Sequence, residues 1–321
     1  MKKHLWALCF SAALIAFSTY ITLDTFVIPK VYDTNVTAIN TSMFSNSNRN
    51  ATESAASTEQ ASALTTDRAL SDGSHTAAET ESSDTSYRDE NISVTLTEYY
   101  ENNTKIYVAD VTLSSAEYLK TAFANDTYGR NITATTSSMA QANNAVLAIN
   151  GDYYGAQESG YVIRNGVVYR DTPKGADVLC IYADGTMEIV SDSAYTAEAL
   201  VSRGVWQAFT FGPSLVENGS ITVGENDEVG KAMASNPRTA IGLIDANQFV
   251  FVVSDGRTAE SSGLSLYELA QFMQGLGVKT AYNLDGGGSS AMVFNGQVIN
   301  NPTTSGRSIK ERGVSDIVYI G

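Results

Sequence analysis

Four short segments carry residue types from which a reaction could be built. The first, Asn283-Leu284-Asp285-Gly286-Gly287-Gly288-Ser289-Ser290, ends an apolar run with a carboxylate, three glycines and two hydroxyls. Glycines admit positive φ and let backbone N–H groups approach a ligand closely. Successive N–H groups in such a turn form a concavity suited to an anion. A tight turn needs only two glycines, so this run exceeds the structural requirement. No Gly-Lys-Ser/Thr follows, which excludes a P-loop, and the spacing is not that of a dinucleotide fingerprint. The second segment, Asn150-Gly151-Asp152-Tyr153-Tyr154, also follows an apolar run. It offers polar groups at a strand end and rings of the kind that stack on sugar faces. The third, Asn236-Pro237-Arg238, sets an arginine at the mouth of an apolar strand. A guanidinium there is costly unless a carboxylate or a ligand anion meets it. The fourth, Ser254-Asp255-Gly256-Arg257, ends the next apolar strand with one more charge of each sign. Structural alternatives stand beside these readings: a turn with surface tyrosines, an internal ion pair, a plain Asp-Gly turn.

If these strand ends converge, they form a site of carboxylates, guanidiniums and a backbone anion nest. Such a site suits an anionic substrate whose glycosidic or ester bond is broken by acid/base work. Composition removes competing chemistries. The chain has 321 residues, two histidines and two cysteines. His4 and Cys9 lie at the N-terminus and His75 in a polar stretch, so the expected domain holds Cys180 but no histidine. Ser-His-Asp and Cys-His catalysis, His- or Cys-ligated zinc and a disulfide framework are therefore all excluded there. The formal net charge of -15 argues against nucleic acid and against peripheral binding to an anionic membrane surface.

The elements that must position these residues are legible as three regions. Residues 1–30 form an export signal: Lys2, Lys3 and His4 precede an apolar run of about 19 residues from Leu5, near the roughly 20 that span a bilayer. No convincing small-x-small cleavage site follows, which favours an uncleaved anchor with the domain outside the cytoplasmic membrane over a secreted form. Residues 31–90 are rich in Ser, Thr, Ala and acidic residues and read as a disordered stalk that lifts the domain from the membrane. Residues 91–321 form one domain. Within it, Ile92–Tyr100 and Lys105–Leu113 read as a hairpin, and Ser114-x-x-Glu117 as a capping box opening a helix to about Ala124. A helix over Met139–Asn144 feeds an Ala145–Ile149 strand. Asn165-Gly166, Asp184-Gly185 and Asn295-Gly296 mark hairpin turns. Arg238–Ile244 and Phe249–Ser254 read as central strands. A capped amphipathic helix from Ser265 to Gly277 leads into a Lys279–Leu284 strand, and Val314–Ile320 closes the domain. Hairpins mixed with strand-helix-strand units predict an α+β (mixed α/β) domain. Its sheet is expected to be mixed, largely antiparallel and flanked by helices.

The four segments, in their chain order from Asn150 through Asn236 and Asp255 to Asn283–Ser290, resemble the phosphodiester glycosidase domain family, which includes bacterial proteins of the exopolysaccharide-biosynthesis type. The resemblance covers roughly Asn91 to Gly321, and the glycine run is its most specific part. Many members have two phenylalanines where this chain has Tyr153-Tyr154. The resemblance implies a hydrolase that cleaves the glycosidic bond of a sugar-1-phosphodiester, here in an envelope or extracellular polymer of capsule or teichoic type. It implies catalytic candidates Asp285, Asp152 and Asp255. Substrate-binding candidates are Asn150, Gly151, Tyr153, Arg238, Arg257, Gly286, Gly287, Gly288, Ser289 and Ser290. The expected partners are a carbohydrate substrate and, through the N-terminal helix, a membrane. Two alternatives remain. One is a non-catalytic surface module binding polysaccharide. The other is a metal-assisted phosphodiesterase in which Asp152, Asp255 and Asp285 hold Ca²⁺ or Mg²⁺.

Overall fold

The structure is a computed structural model that describes residues 5–32, 80–228 and 235–321. Most of the segment expected as a stalk lies outside these residues. Its last part does not: strands Glu81–Ser82 and Ser86–Arg88 precede Ile92–Glu101 and extend its sheet.

Among the described residues the domain has three sheets of five or more strands, and every strand pairing in them is antiparallel. The largest has nine strands. Its centre runs Ser214–Glu217, Thr280–Asn283, Arg238–Asp245, Gln248–Ser254, Thr104–Leu113 and Ile92–Glu101. A second sheet of five strands carries Val162–Arg164, Asp177–Tyr182 and Val205–Phe209. A third, also of five, carries Met292–Phe294, Leu147–Asn150, Asp316–Ile320 and Leu119–Phe123. Helices in the domain are short: Thr136–Ala142, Ala197–Ser202 and Leu266–Gly275.

The expected mixed sheet is therefore corrected, and the domain is richer in sheet than a balanced α+β fold. The reason lies in one insertion. Gln248–Ser254, the helix Leu266–Gly275 and Thr280–Asn283 do form a strand-helix-strand unit. Arg238–Asp245 sits between the two strands and pairs antiparallel with both, so they run the same way without forming a parallel ladder. The second correction concerns Ser114-x-x-Glu117. Only one 3₁₀ turn forms, Ala116–Tyr118, capped by the Ser115 hydroxyl, which accepts from Glu117 N at 3.3 Å. Leu119–Phe123 then pairs with Asp316–Ile320, where Leu119 and Thr121 are buried. Pairing with the closing strand and burying this alternate face outweigh a local helix signal.

One core lies between the sheets and includes Val94, Tyr107, Ile149, Leu179, Phe209, Ile241, Phe251, Leu284, Met292 and Val318. A second lies on the other face of the large sheet, where Val108, Ala240 and Val252 meet Leu266, Leu269 and Met273 of the helix. Burial on both faces explains why Arg238–Leu243 and Phe249–Ser254 are continuously buried rather than alternating. The helix begins with the expected capping box: Glu268 N donates to Ser265 Oγ at 3.1 Å and Ser265 N to Glu268 Oε2 at 2.8 Å, worth about 1 kcal/mol.

Candidate functional site

Antiparallel pairing decides which chemical groups share an edge. Arg238 begins its strand, whereas Ser254 and Asn283 end theirs, and the register sets Arg238 opposite Ser254 and Ala240 opposite Asn283. A strand start thus lies beside two strand ends, so Arg238, Asp255 and Asp285 emerge at one edge of the large sheet.

The third sheet is stitched to the same edge by Asn150 and Gly151. Asn150 Nδ2 donates to the Asp285 carbonyl at 2.6 Å, while its Oδ1 accepts from Thr239 Oγ1 at 2.9 Å and Ala291 N at 3.2 Å. Asp285 N donates to the Gly151 carbonyl at 3.2 Å. Asn150 is fully buried with its polar groups used, so it holds the glycine run in place. Gly151 allows the close packing of Asp316: a Cβ would stand 2.1 Å from Asp316 Oδ1.

Gly287 adopts φ 60°, and its N–H donates to the Pro237 carbonyl at 2.7 Å. Ser289 N donates to Gly286 and Ser290 N to Gly287, both at 3.2 Å. Much of the expected nest is thus spent inside the loop. The glycines serve close packing instead: a Cβ on Gly287 would lie 2.9 Å from Arg257 Nη2, and one on Gly288 would lie 2.5 Å from Thr304 Oγ1. The Ser290 hydroxyl and Asn283 Oδ1, which flank Asp285 in the chain, are buried with no hydrogen-bond partner among the described residues.

Guanidiniums gather around this loop. Arg257 lies over Gly287, held through Nε and Nη2 to Asn236 Oδ1 and through Nη1 to the Thr304 carbonyl. Arg312, which nothing in its spacing had set apart from surface charge, donates through Nη2 to Asp285 Oδ2 at 3.3 Å and to Ser289 Oγ. Arg238 donates to the Leu264 carbonyl at 2.8 Å and to Glu228 Oε2 at 2.7 Å. Burial and the nearby charges of Arg312 and Arg238 lower the affinity of Arg257 for its proton. Three cations close enough to repel one another, with Asp285 and Glu228 as carboxylate partners among the described residues, suit an added anion.

Asp285 is 9% exposed. Burial pushes its carboxyl above the usual range, and Asp152 adds to this; the Ser289 hydroxyl, Arg312 and the Gly286 N–H pull the other way. The other two catalytic candidates are differently placed. Asp152 accepts from Arg164 Nη2 at 2.8 Å and Tyr154 N at 3.2 Å on one oxygen, and from Thr210 N at 3.0 Å on the other. Asp255 accepts from Asn301 N at 2.7 Å, Asn301 Nδ2 at 2.8 Å, Asn300 Nδ2 at 3.4 Å and Tyr107 OH at 3.3 Å. Each is held in place by its own set of donors. Among the described residues no group of three carboxylate, histidine or cysteine side chains comes together as a metal-ligand set. Tyr153 stands 45% exposed at φ 64°, while Tyr154 is buried against Tyr128 and Phe123. A cleft of about 850 Å³ shares only Glu228 with the cluster; its lining of Asp177, Glu217 and Asp227 does not suit an anion.

Behind Asp152 lies a buried triad. Arg164 is 2% exposed and bridges Asp152 to Asp316 Oδ2, the latter at 2.9 Å. In the sequence, Asn165-Gly166 marks only a hairpin turn and neither Arg164 nor Asp316 stands out; a charge within each apolar strand is the available signal. Burial raises the Asp316 carboxyl to about 7, opposed by Arg164 and reinforced by Asp152. A carboxyl with a raised folded pKa binds more protons in the native state, so its contribution is fully present below about pH 4 and is lost as pH rises through about 7. The thermal midpoint is therefore expected to fall between pH 5 and pH 8. Asp316→Asn, which imitates the protonated acid, is expected to flatten that dependence in parallel melts.

Residues 143–321 match the sequence profile of the phosphodiester glycosidases. The chain is 31% identical over 180 residues to the SPbeta prophage-derived protein YomE of Bacillus subtilis, covering 54% of this chain and 28% of that protein. It is 31% identical over 194 residues to human N-acetylglucosamine-1-phosphodiester α-N-acetylglucosaminidase, covering 53% and 36%. The chain thus spans about a third of the length of these relatives. In fold it resembles the catalytic domain of the zebrafish N-acetylglucosamine-1-phosphodiester α-N-acetylglucosaminidase auto-inhibited by its pro-peptide, with TM-score 0.56 and 19% identity over 71% of this chain and 82% of that one. A hypothetical protein from Synechocystis is similar at TM-score 0.55 and 15% identity, covering 72% and 62%.

Proposed function

The chain belongs to the phosphodiester glycosidase family, and we propose that it hydrolyses the glycosidic bond of a sugar-1-phosphodiester outside the cytoplasmic membrane. The observation that carries this reading is the placing of one buried carboxylate, Asp285, among Arg312, Arg257 and Arg238. The guanidiniums hold the phosphodiester and stabilise the phosphomonoester as it leaves. Asp285 acts at the anomeric carbon, as nucleophile or as base toward water. The C1–O bond breaks, its electron pair stays on the phosphate oxygen, and water supplies the hydroxyl that ends on the sugar. A phosphate leaving group needs less protonation than an alcohol, which suits a site with one carboxylate well placed for chemistry. Asp152 and Asp255 hold the loops that carry the site. The exposed ring of Tyr153 offers a face for the sugar, and an envelope polymer with phosphodiester-linked sugars is the substrate class.

The N-terminal helix Leu5–Phe26 contains an 18-residue stretch, Cys9–Phe26, long and apolar enough to cross a membrane. We take it as an anchor with the domain on the extracytoplasmic side. Incubation with α-linked sugar-1-phosphodiesters in ¹⁸O water tests the chemistry. Label is expected in the released sugar; label in the phosphate instead would establish P–O cleavage and exclude the glycosidase reading.

A further inference from the structure

The apolar helix does not hand over to a free linker. With Val27, Ile28 and Pro29 between it and the helix, Lys30–Val31 forms a strand that pairs antiparallel with Gly129–Arg130 of the domain, Lys30 opposite Arg130 and Val31 opposite Gly129. Tyr32 N extends the ladder by donating to the Tyr128 carbonyl at 3.2 Å. The Tyr32 ring lies 5.6 Å from that of Tyr128, which stacks at 5.2 Å on Tyr154. The last carbonyls of a helix lack partners within it. Here the domain supplies one of them: Asn131 Nδ2 donates to the carbonyl of Thr25, and to that of Ile28 just beyond the helix, each at 3.1 Å. Lys30 Nζ also bonds Asp24 Oδ2 at 2.7 Å, bracing the bend. The close approach requires glycine, since a Cβ on Gly129 would lie 2.1 Å from the Lys30 carbonyl oxygen.

Reach then sets position. The three residues from Val27 to Pro29 span at most about 10 Å when extended, so the domain face around Tyr128–Asn131 stays within that distance of the helix end. Phe26, Val27 and Val31 at the junction are 73%, 58% and 69% exposed, as suits a membrane–water boundary and not bulk solvent. The polar segment, residues 33–79, leaves from Tyr32 and returns at Glu81, which pairs with Arg88 of the same domain. Both of its ends are therefore fixed on the domain. A chain of net charge -15 gains nothing electrostatically from an anionic bilayer, so closeness to one must come from such a mechanical link.

We propose that Lys30–Tyr32 clamps the domain directly onto the lipid bilayer, and that the polar segment is not a spacer between them. This rests on the reading of the helix as an anchor. The test uses the full-length chain in isolated membranes, in a Cys9→Ser background. Paired strand residues have Cα separations within reach of a disulfide. Oxidation of Lys30→Cys/Arg130→Cys is expected to give at least tenfold more intramolecular disulfide than Lys30→Cys/Lys279→Cys, scored by gel mobility with and without reductant. Adding Tyr32→Pro, which removes the ladder N–H and the ring, is expected to return the yield to the control level. Equal yields from the two pairs would overturn the clamp. Release of the cross-linked chain by carbonate wash would overturn its placing on the bilayer, and the anchor reading with it, while leaving the strand pairing intact.

Discussion

Asp285→Asn is expected to lower turnover of a sugar-1-phosphodiester by about 10²- to 10⁴-fold, the range for removal of a positioned acid/base group. The fold should survive. Asparagine keeps the side-chain volume and an acceptor for Arg312, which lies 3.3 Å away. Burial already raises the carboxyl's pKa, so removing the charge lifts a desolvation cost. Activity and stability should therefore separate, with melting unchanged or improved and turnover lost. Where the ionised form does the work, kcat/KM of the wild type should rise with pH through a value above the ordinary carboxylate range. Arg312→Ala provides the companion measurement, because its side chain is 41% exposed and its removal leaves the core untouched. A loss of about 10²-fold in kcat/KM is expected if it stabilises the departing phosphate. Full activity of Asp285→Asn on an α-linked substrate would move the chemistry to another residue.

The largest effect on stability is expected from Arg164→Met. This side chain is enclosed and serves two carboxylates, so its loss leaves negative charge with no counterion. Removing one partner of a buried ion pair costs about 3–5 kcal/mol. The penalty should shrink at pH 5, where Asp316 is protonated in the fold, and grow toward pH 8, above the pH of about 7 at which Asp316 ionises. Urea unfolding at the two pH values measures this. If charge is the cause, Asp152→Asn and Asp316→Asn added to Arg164→Met should recover part of the loss. A failure to recover would point to packing, since Arg164 also lies 4.2 Å from the Phe209 ring centroid and donates to the Ala208 carbonyl.

The triad matters for function because it holds one flank of the candidate site. Arg164 fixes Asp152, whose carboxylate receives Tyr154 N and Thr210 N. The same loop begins with Asn150, which ties the third sheet to Asp285. A stability defect there is expected to reach activity through position. The proposed clamp lies at a different place from the Asp285 cluster, and its ring series runs from Tyr32 through Tyr128 to Tyr154.

What the sequence determined alone is the set of groups that break a regular pattern at the end of an apolar run. The turn after Leu284, the Asn-Gly turns, the capping box at Ser265 and the apolar helix at the N-terminus are local signals. Each depends on backbone freedom, hydrogen bonding or hydrophobicity over a few residues, and each element is present in the structure, although the glycine run spends much of its N–H donation within the loop and not as an open nest. The strands carrying Arg238, Asp255 and Asp285 were legible for the same reason. Tertiary structure decided the rest. Insertion of Arg238–Asp245 between two strands made the sheets wholly antiparallel, and it also brought a strand start beside two strand ends. Pairing across the chain turned Leu119–Phe123 from helix to strand. Arg312 reached Asp285, and Arg164 reached both Asp152 and Asp316, across separations that no local pattern encodes. The physical reason is one of range. Propensity and periodicity act between neighbours in the chain, whereas a charge finds its partner, and a carboxylate its pKa, only in the space that packing leaves.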